Sequence, residues 1–160
     1  MRFDDRTVLV TGAGAGIGRG IAARFVRAGA RVMANDVNPA TLRETRSLLE
    51  REAGDRLATF VADVRYTNQV EALVAETAAR FGAVDILVNN AGIYPNCPVV
   101  EMSQEEWDAV IETNLRGPFL LCQAVARRMI ARGQGGKIVN ITSGAYKSAR
   151  MGASHYCSSK

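Results

Sequence analysis

Thr7-Val8-Leu9-Val10-Thr11-Gly12-Ala13-Gly14-Ala15-Gly16-Ile17-Gly18 opens as a short apolar run and turns, through four glycines, into a segment of helical period. A strand followed at once by a glycine-rich turn and a helix is the first unit of a doubly wound α/β sheet. Glycines let the backbone bend through positive φ and approach a ligand with no Cβ in the way. The helix N-terminus adds free N–H groups at the positive end of its dipole. The expected ligand is a pyrophosphate. The spacing is T-G-x-x-x-G-x-G rather than a strict G-x-G-x-x-G, and no Gly-Lys-Ser/Thr follows, which excludes a P-loop.

The same rhythm continues along the chain. Thr7 to Val10, Arg31 to Ala34, Leu57 to Val61, Ile86 to Val88 and Ile138 to Ile141 read as strands separated by longer helical stretches, which predicts βαβ units and a parallel sheet. Ile17, Ile21 and Phe25 line the first helix, which Gly29 ends. Asn38-Pro39 starts the second as N-cap and first-turn proline, and Gly54 stops it. Val70, Leu73, Val74, Thr77, Ala78 and Phe81 form one apolar face of a third helix, with Thr67 before it and Gly82 after it. Ser103-Gln-Glu-Glu106 has capping-box spacing and opens a fourth region that runs to Gly133, with a break expected at Gly117-Pro118. Between Phe119 and Ala126 only Gln123 is polar, so that helix needs cover on more than one side.

A chain of 160 residues, 48% apolar and 22% charged, is expected to form a single domain over residues 1–160, and disordered, collagen-like and disulfide-scaffold classes are excluded. Nothing approaches the roughly 18 uninterrupted apolar residues of a membrane span. The start, Met1 to Arg6, lacks the layout of a signal peptide, so a cytoplasmic location with no membrane partner is expected. Cys97, Cys122 and Cys157 are widely spaced and His155 is the one histidine, which argues against a metal site. The net charge of +4 comes from scattered arginines, so nucleic acid is not an expected partner.

The second strand ends at Asp36, 20 residues beyond Gly16. A carboxylate there can accept hydrogen bonds from an adenosine ribose and repel a 2′-phosphate. Neither Ala15, Asn35 nor Val37 supplies the cation a 2′-phosphate would want. NAD is therefore favoured over NADP, although Asp36 also reads as a plain turn residue.

Four further signals follow in chain order: Asn89-Asn90-Ala91-Gly92, Asn114, Ser143, and Tyr156-x-x-x-Lys160. Together with the adenine-side pair Asp63-Val64 and the strand entry at Asp85, the chain from Thr7 to Lys160 resembles the short-chain dehydrogenase/reductase family. That resemblance implies a Rossmann-type doubly wound parallel sheet of about five strands, order 3-2-1-4-5, with helices on both faces. It implies an NAD-dependent oxidoreductase interconverting a secondary alcohol and a ketone, working as a homo-oligomer in its complete form. Tyr156 would be the general acid/base, Lys160 its electrostatic partner and a ligand of the nicotinamide ribose, Asn114 the support of a water chain, and Ser143 the group that polarises the reacting oxygen. The cofactor would lie on Thr11, Gly12, Gly14, Gly16, Ile17, Gly18, Asp36, Asp63, Val64, Asn90, Ala91 and Gly92, and on Tyr156 and Lys160. A free phenol titrates near 10, so a tyrosine base working at neutral pH needs its phenolate favoured by about 4 kcal/mol, which a neighbouring ammonium can help supply.

Each of these residues also has a plainer reading. Ser143 serves as a strand-end hydroxyl, Asn114 as a kink residue bonding backbone, Tyr156 as a core edge, and Lys160 as a frayed terminus. His155 is expected on a pocket wall or the surface; no G-x-S-x-G elbow exists to make a hydrolase of it. The family extends about a third beyond the position of Lys160, so the resemblance implies a C-terminally truncated chain with an open fifth strand. The alternative function is therefore a non-catalytic module for nucleotide binding or subunit association. A nucleotide-dependent methyltransferase would share the glycine loop but leave Ser143, Tyr156 and Lys160 idle. The stretches Tyr94 to Cys97 and Tyr146 to Met151 are candidate pocket walls.

Overall fold

The computed structural model describes residues 2–148 and 150–160. Its five strands, β1 (Thr7–Thr11), β2 (Arg31–Asp36), β3 (Leu57–Val61), β4 (Ile86–Asn89) and β5 (Lys137–Asn140), lie parallel in one sheet of order β3-β2-β1-β4-β5. The expected strand order and Rossmann-type winding hold. Strand ends move by one or two residues; β5 begins at Lys137 because its N–H bonds the Asp85 carbonyl at 2.9 Å.

Every residue of β1 is buried, as expected for a central parallel strand covered on both faces. Val8 and Val10 point into one core with Ala22, Val26, Leu42 and Leu49 of α1 (Gly16–Arg27) and α2 (Pro39–Ala53). Leu9 points into the other with Val70, Leu73, Leu121 and Val125 of α3 (Thr67–Phe81) and α5 (Gly117–Arg132). β5 bonds only β4 and is largely exposed, with Val139 at 44%.

The predicted punctuation is in place for α2, where Asn38 Oδ1 accepts from the N–H groups of Ala40 and Thr41, and for α4 (Gln104–Ile111), where Ser103 and Glu106 form the reciprocal capping box. Gly82 ends α3 in the left-handed conformation.

Three details differ from the sequence reading. Thr67 is the first residue of α3, not its cap, and the capping position falls on Tyr66 without a side-chain bond. Ile21 and Phe25 of α1 pack against the core as expected, but its buried residues are Gly18, Ala22, Ala23 and Val26, and Ile17 is 70% exposed. Small residues let the helix lie close to the sheet, and its first turn projects past the carboxyl ends of the strands, where Ile17 meets no core. The break in the fourth helical region is a wide π turn at Glu112–Arg116, and the chain runs through Gly117-Pro118 as the start of α5. Pro118 has no N–H for the carbonyl four residues back, and its ring crowds that carbonyl, so the distortion falls upstream around Asn114.

Candidate active site

At the carboxyl end of the sheet, Thr11 joins two strands. Its Oγ1 donates to the Val88 carbonyl at 3.4 Å and accepts from the N–H groups of Asn90 and Ala91, both at 3.1 Å. The Asn90 side-chain amide donates back to the carbonyls of Thr11 at 3.0 Å and Gly12 at 3.2 Å, which fixes the glycine turn on β4. Gly16 adopts φ +51°, a conformation that favours glycine, and a Cβ on Gly18 would overlap the Gly12 carbonyl. Ala15 is the N-cap of α1 and offers no side-chain cap, so the first N–H groups of the helix have no side-chain partner there.

Asp36 ties this turn to β2. Its Oδ2 accepts from the Gly14 N–H at 2.9 Å and its Oδ1 from the Asn38 N–H at 3.0 Å. It thus does the work of a turn residue while lining a cleft of about 360 Å³ with Gly12, Asp63, Arg65 and Gly92. Asp63 stands across that cleft in an ion pair with Arg65 at 2.7 Å. Burial alone would push its carboxyl up; the Arg65 guanidinium and N–H outweigh it and hold it below the ordinary value. Val64 lies beneath Gly117 and is buried.

A second cluster gathers where β4, β5 and the π turn meet. Asn114 is buried; its Oδ1 accepts from the Ile93 N–H at 2.8 Å, and its Nδ2 donates to the Ile93 carbonyl at 2.9 Å and to Ser159 Oγ at 3.1 Å. It bonds backbone, as the plainer reading has it, but the backbone of a distant loop rather than of its own helix. Ser159 donates in turn to the Tyr156 carbonyl at 2.8 Å, within α6 (Ser154–Ser159). Lys160 Nζ donates to the Ile141 carbonyl at 3.2 Å and lies 5.6 Å from the Tyr156 ring centre. Burial pulls its ammonium below the usual lysine range. Asn114 and Lys160 both border Gly92, where an added Cβ would sit 3.2 Å from Asn114 Oδ1 and 3.5 Å from Lys160 Nζ. A cavity of about 180 Å³ lies here, lined by Asn114, Ile141, Ser159 and Lys160.

Ser143 caps the short turn Gly144–Tyr146, its Oγ accepting from the Ala145 N–H at 3.2 Å. The first candidate wall is tied to the residue that follows the second, because the Cys97 N–H donates to the Gly152 carbonyl at 2.8 Å; residue 149 of the second wall lies outside the described residues. The ring of Tyr94 lies 4.4 Å from that of Tyr156, centre to centre. His155 is fully buried rather than on a pocket wall or the surface, because α6 turns that side inward as it packs on α4. Neither of its ring nitrogens has a partner among the described residues.

Sequence reasoning passed over Ser159, the link between Asn114 and Tyr156. The one available signal was a hydroxyl three residues after Tyr156 on the same helical face. Cys97, Cys122 and Cys157 are free thiols, and among the described residues no helix is long and apolar enough to cross a membrane.

Comparison with known proteins bears on the family and the fold. The family model described as short chain dehydrogenase matches residues 6–160. The chain is 40% identical over 160 residues to a sorbitol dehydrogenase of Cereibacter sphaeroides, covering all of this chain and 61% of that protein. It is 42% identical over 161 residues to a D-threitol dehydrogenase of Mycolicibacterium smegmatis, covering 99% of this chain and 60% of that one. The crystal structure of a short chain dehydrogenase from Mycobacterium smegmatis superimposes with a TM-score of 0.94 at 38% identity, covering 98% of this chain and 66% of the other. The chain thus spans about three fifths of the length of these curated relatives.

Proposed function

The chain belongs to the short-chain dehydrogenase family, and from that premise we propose that it serves an NAD-dependent oxidoreductase interconverting a secondary alcohol and a ketone, with a polyol as the alcohol. The observation that carries this reading is the convergence of Asn114 and Lys160 on Gly92, with Tyr156 one helical turn before Lys160.

The cradle fits a dinucleotide. Free N–H groups at the start of α1 and a glycine turn that a Cβ would obstruct suit a pyrophosphate. Asp36 would take the adenosine ribose and disfavour a 2′-phosphate, Asp63 and Val64 would border the adenine, and the exposed Ile17 would cover the bound molecule. NAD, when bound, supplies the acceptor for the hydride of the alcohol.

The remaining work falls to side chains. Tyr156 takes the hydroxyl proton of the alcohol, with the Lys160 ammonium 5.6 Å from its ring centre. Ser143 already accepts from Ala145, which leaves its own O–H free to donate to the reacting oxygen. Asn114 and Ser159 hold the cavity next to Lys160, which has room for several waters along which a proton can leave. On α5 the exposed Phe119 and Ile130 suit a homo-oligomer.

The test is turnover of sorbitol and threitol with NAD, followed by the absorbance of reduced nicotinamide, alongside cofactor titration. Tyr156→Phe should abolish turnover and leave NAD affinity near wild type. A variant that retains activity within a few-fold removes Tyr156 from this role.

A further inference from the structure

We propose that Tyr94 positions Tyr156 and selects the substrate it meets. The inference rests on the reading of Tyr156 as acid/base and adds a residue to it. Ring centres 4.4 Å apart at 59° are in contact, so the Tyr94 ring blocks part of the space into which Tyr156 could swing. Tyr94 itself is held from both sides. Ile93 is gripped through both backbone groups by Asn114, and the Cys97 N–H is tied to Gly152, two residues before α6 begins. The contact therefore links the loop after β4 to the helix that carries Tyr156.

Tyr94 is nevertheless 51% exposed. Any alcohol whose oxygen reaches the Tyr156 hydroxyl must come within a side-chain width of this open ring. One flank of the reacting carbon is then limited by an aromatic wall, which suits a slim, unbranched alcohol such as an open-chain polyol and disfavours a bulky substituent. Shape at Tyr94 fixes the proton acceptor and the substrate together.

The experiment compares Tyr94→Leu and Tyr94→Phe with the wild-type protein, using threitol and a branched secondary alcohol. A loosened Tyr156 should lower kcat of Tyr94→Leu for threitol about tenfold to a hundredfold, with a larger deuterium isotope effect as the chemical step becomes limiting. NAD affinity should stay within about twofold, KM for the branched alcohol should fall, and Tyr94→Phe should behave as wild type. In the spectrum of the tyrosine-labelled wild-type protein, the Tyr156 ring resonances should move when Tyr94 is replaced, a readout that needs no turnover. An active Tyr156→Phe would overturn both this inference and the reading beneath it. If Tyr156→Phe is inactive while Tyr94→Leu keeps wild-type kcat and selectivity, only the role of Tyr94 falls. Unmoved Tyr156 resonances would overturn it as well.

Discussion

Asn114 holds Ile93 by both of its backbone groups, accepting from the N–H at 2.8 Å and donating to the carbonyl at 2.9 Å. One side-chain amide here replaces a strand neighbour for the first residue beyond the Asn89-Asn90-Ala91-Gly92 segment, and it is buried while doing so. An aspartate could repeat only the acceptor half of this grip.

Asn114→Asp and Asn114→Ala should therefore each destabilise the fold, by roughly 1–3 kcal/mol for the buried groups left without partners. Amide hydrogen exchange at Ile93 should accelerate in both, and urea unfolding reports the loss. Unchanged exchange at Ile93 would show that the loop is held by other contacts.

Asp36 holds the glycine turn and is the residue proposed to select NAD, and its replacement should separate the two. Asp36→Asn keeps an acceptor for the Gly14 N–H but removes the charge, so preference should shift from NAD towards NADP with little loss of stability. Asp36→Ala should shift preference and also loosen the glycine turn, visible as a lower Tm. Titration with both nucleotides checks the first effect, and equal preference shifts without any change in Tm would refute the second.

Gly18 and Gly20 lie two residues apart on α1 and should respond oppositely to alanine. At Gly18 the methyl would meet the Gly12 carbonyl and the Asn90 side chain, whereas at Gly20 it meets nothing within 4 Å. Gly20→Ala should raise stability by about 0.8–1 kcal/mol through helix propensity. Gly18→Ala should lower Tm and abolish nucleotide binding. Thermal melts of the two variants decide the matter.

Burial lowers the pKa of Lys160 below 10.5, so the unfolded chain binds more protons than the folded one between the two values. Stability should rise with pH across that window, because the cost of burying the ammonium disappears as it loses its proton. Lys160→Met should flatten this rise. Parallel urea titrations from neutral pH to the lysine range would expose a wild-type curve that does not rise.

Local chemistry made much of this legible beforehand. Strand cores, the Asn38 and Ser103 caps and the glycine turn depend on neighbours in sequence, and all lie where their residue types place them. The strand order, and the roles proposed for Ser143, Tyr156 and Lys160, came through resemblance, since periodicity says nothing about which strands pair. On α1 the expected Ile21 and Phe25 do pack against the core, but Ile17 is exposed, and the most buried positions are the small residues Gly18, Ala22 and Ala23 with Val26, which an apolar pattern weighted to large side chains passes over. The Asn114–Ile93 grip, the Tyr94–Tyr156 contact and the burial of His155 join residues brought together only by folding, and no spacing rule announces them.

The π turn at Glu112–Arg116 also sets the angular bookkeeping of the longest helical stretch. Val110, Asn114, Gly117, Leu121, Val125 and Met129 are all buried on one side. An unbroken α-helix would precess by about 100° between Val110 and Met129, and a π turn absorbs one extra residue, which is about the same angle. The wide turn is thus a phase correction that keeps the buried residues of α4 and α5 on one side, where α4 meets α6 and α5 meets β4. Excising a single residue from it would regularise the hydrogen bonding of the helix yet swing one half about the axis, so that the more ideal backbone would be the one that misaims either Asn114 or the apolar row beyond it.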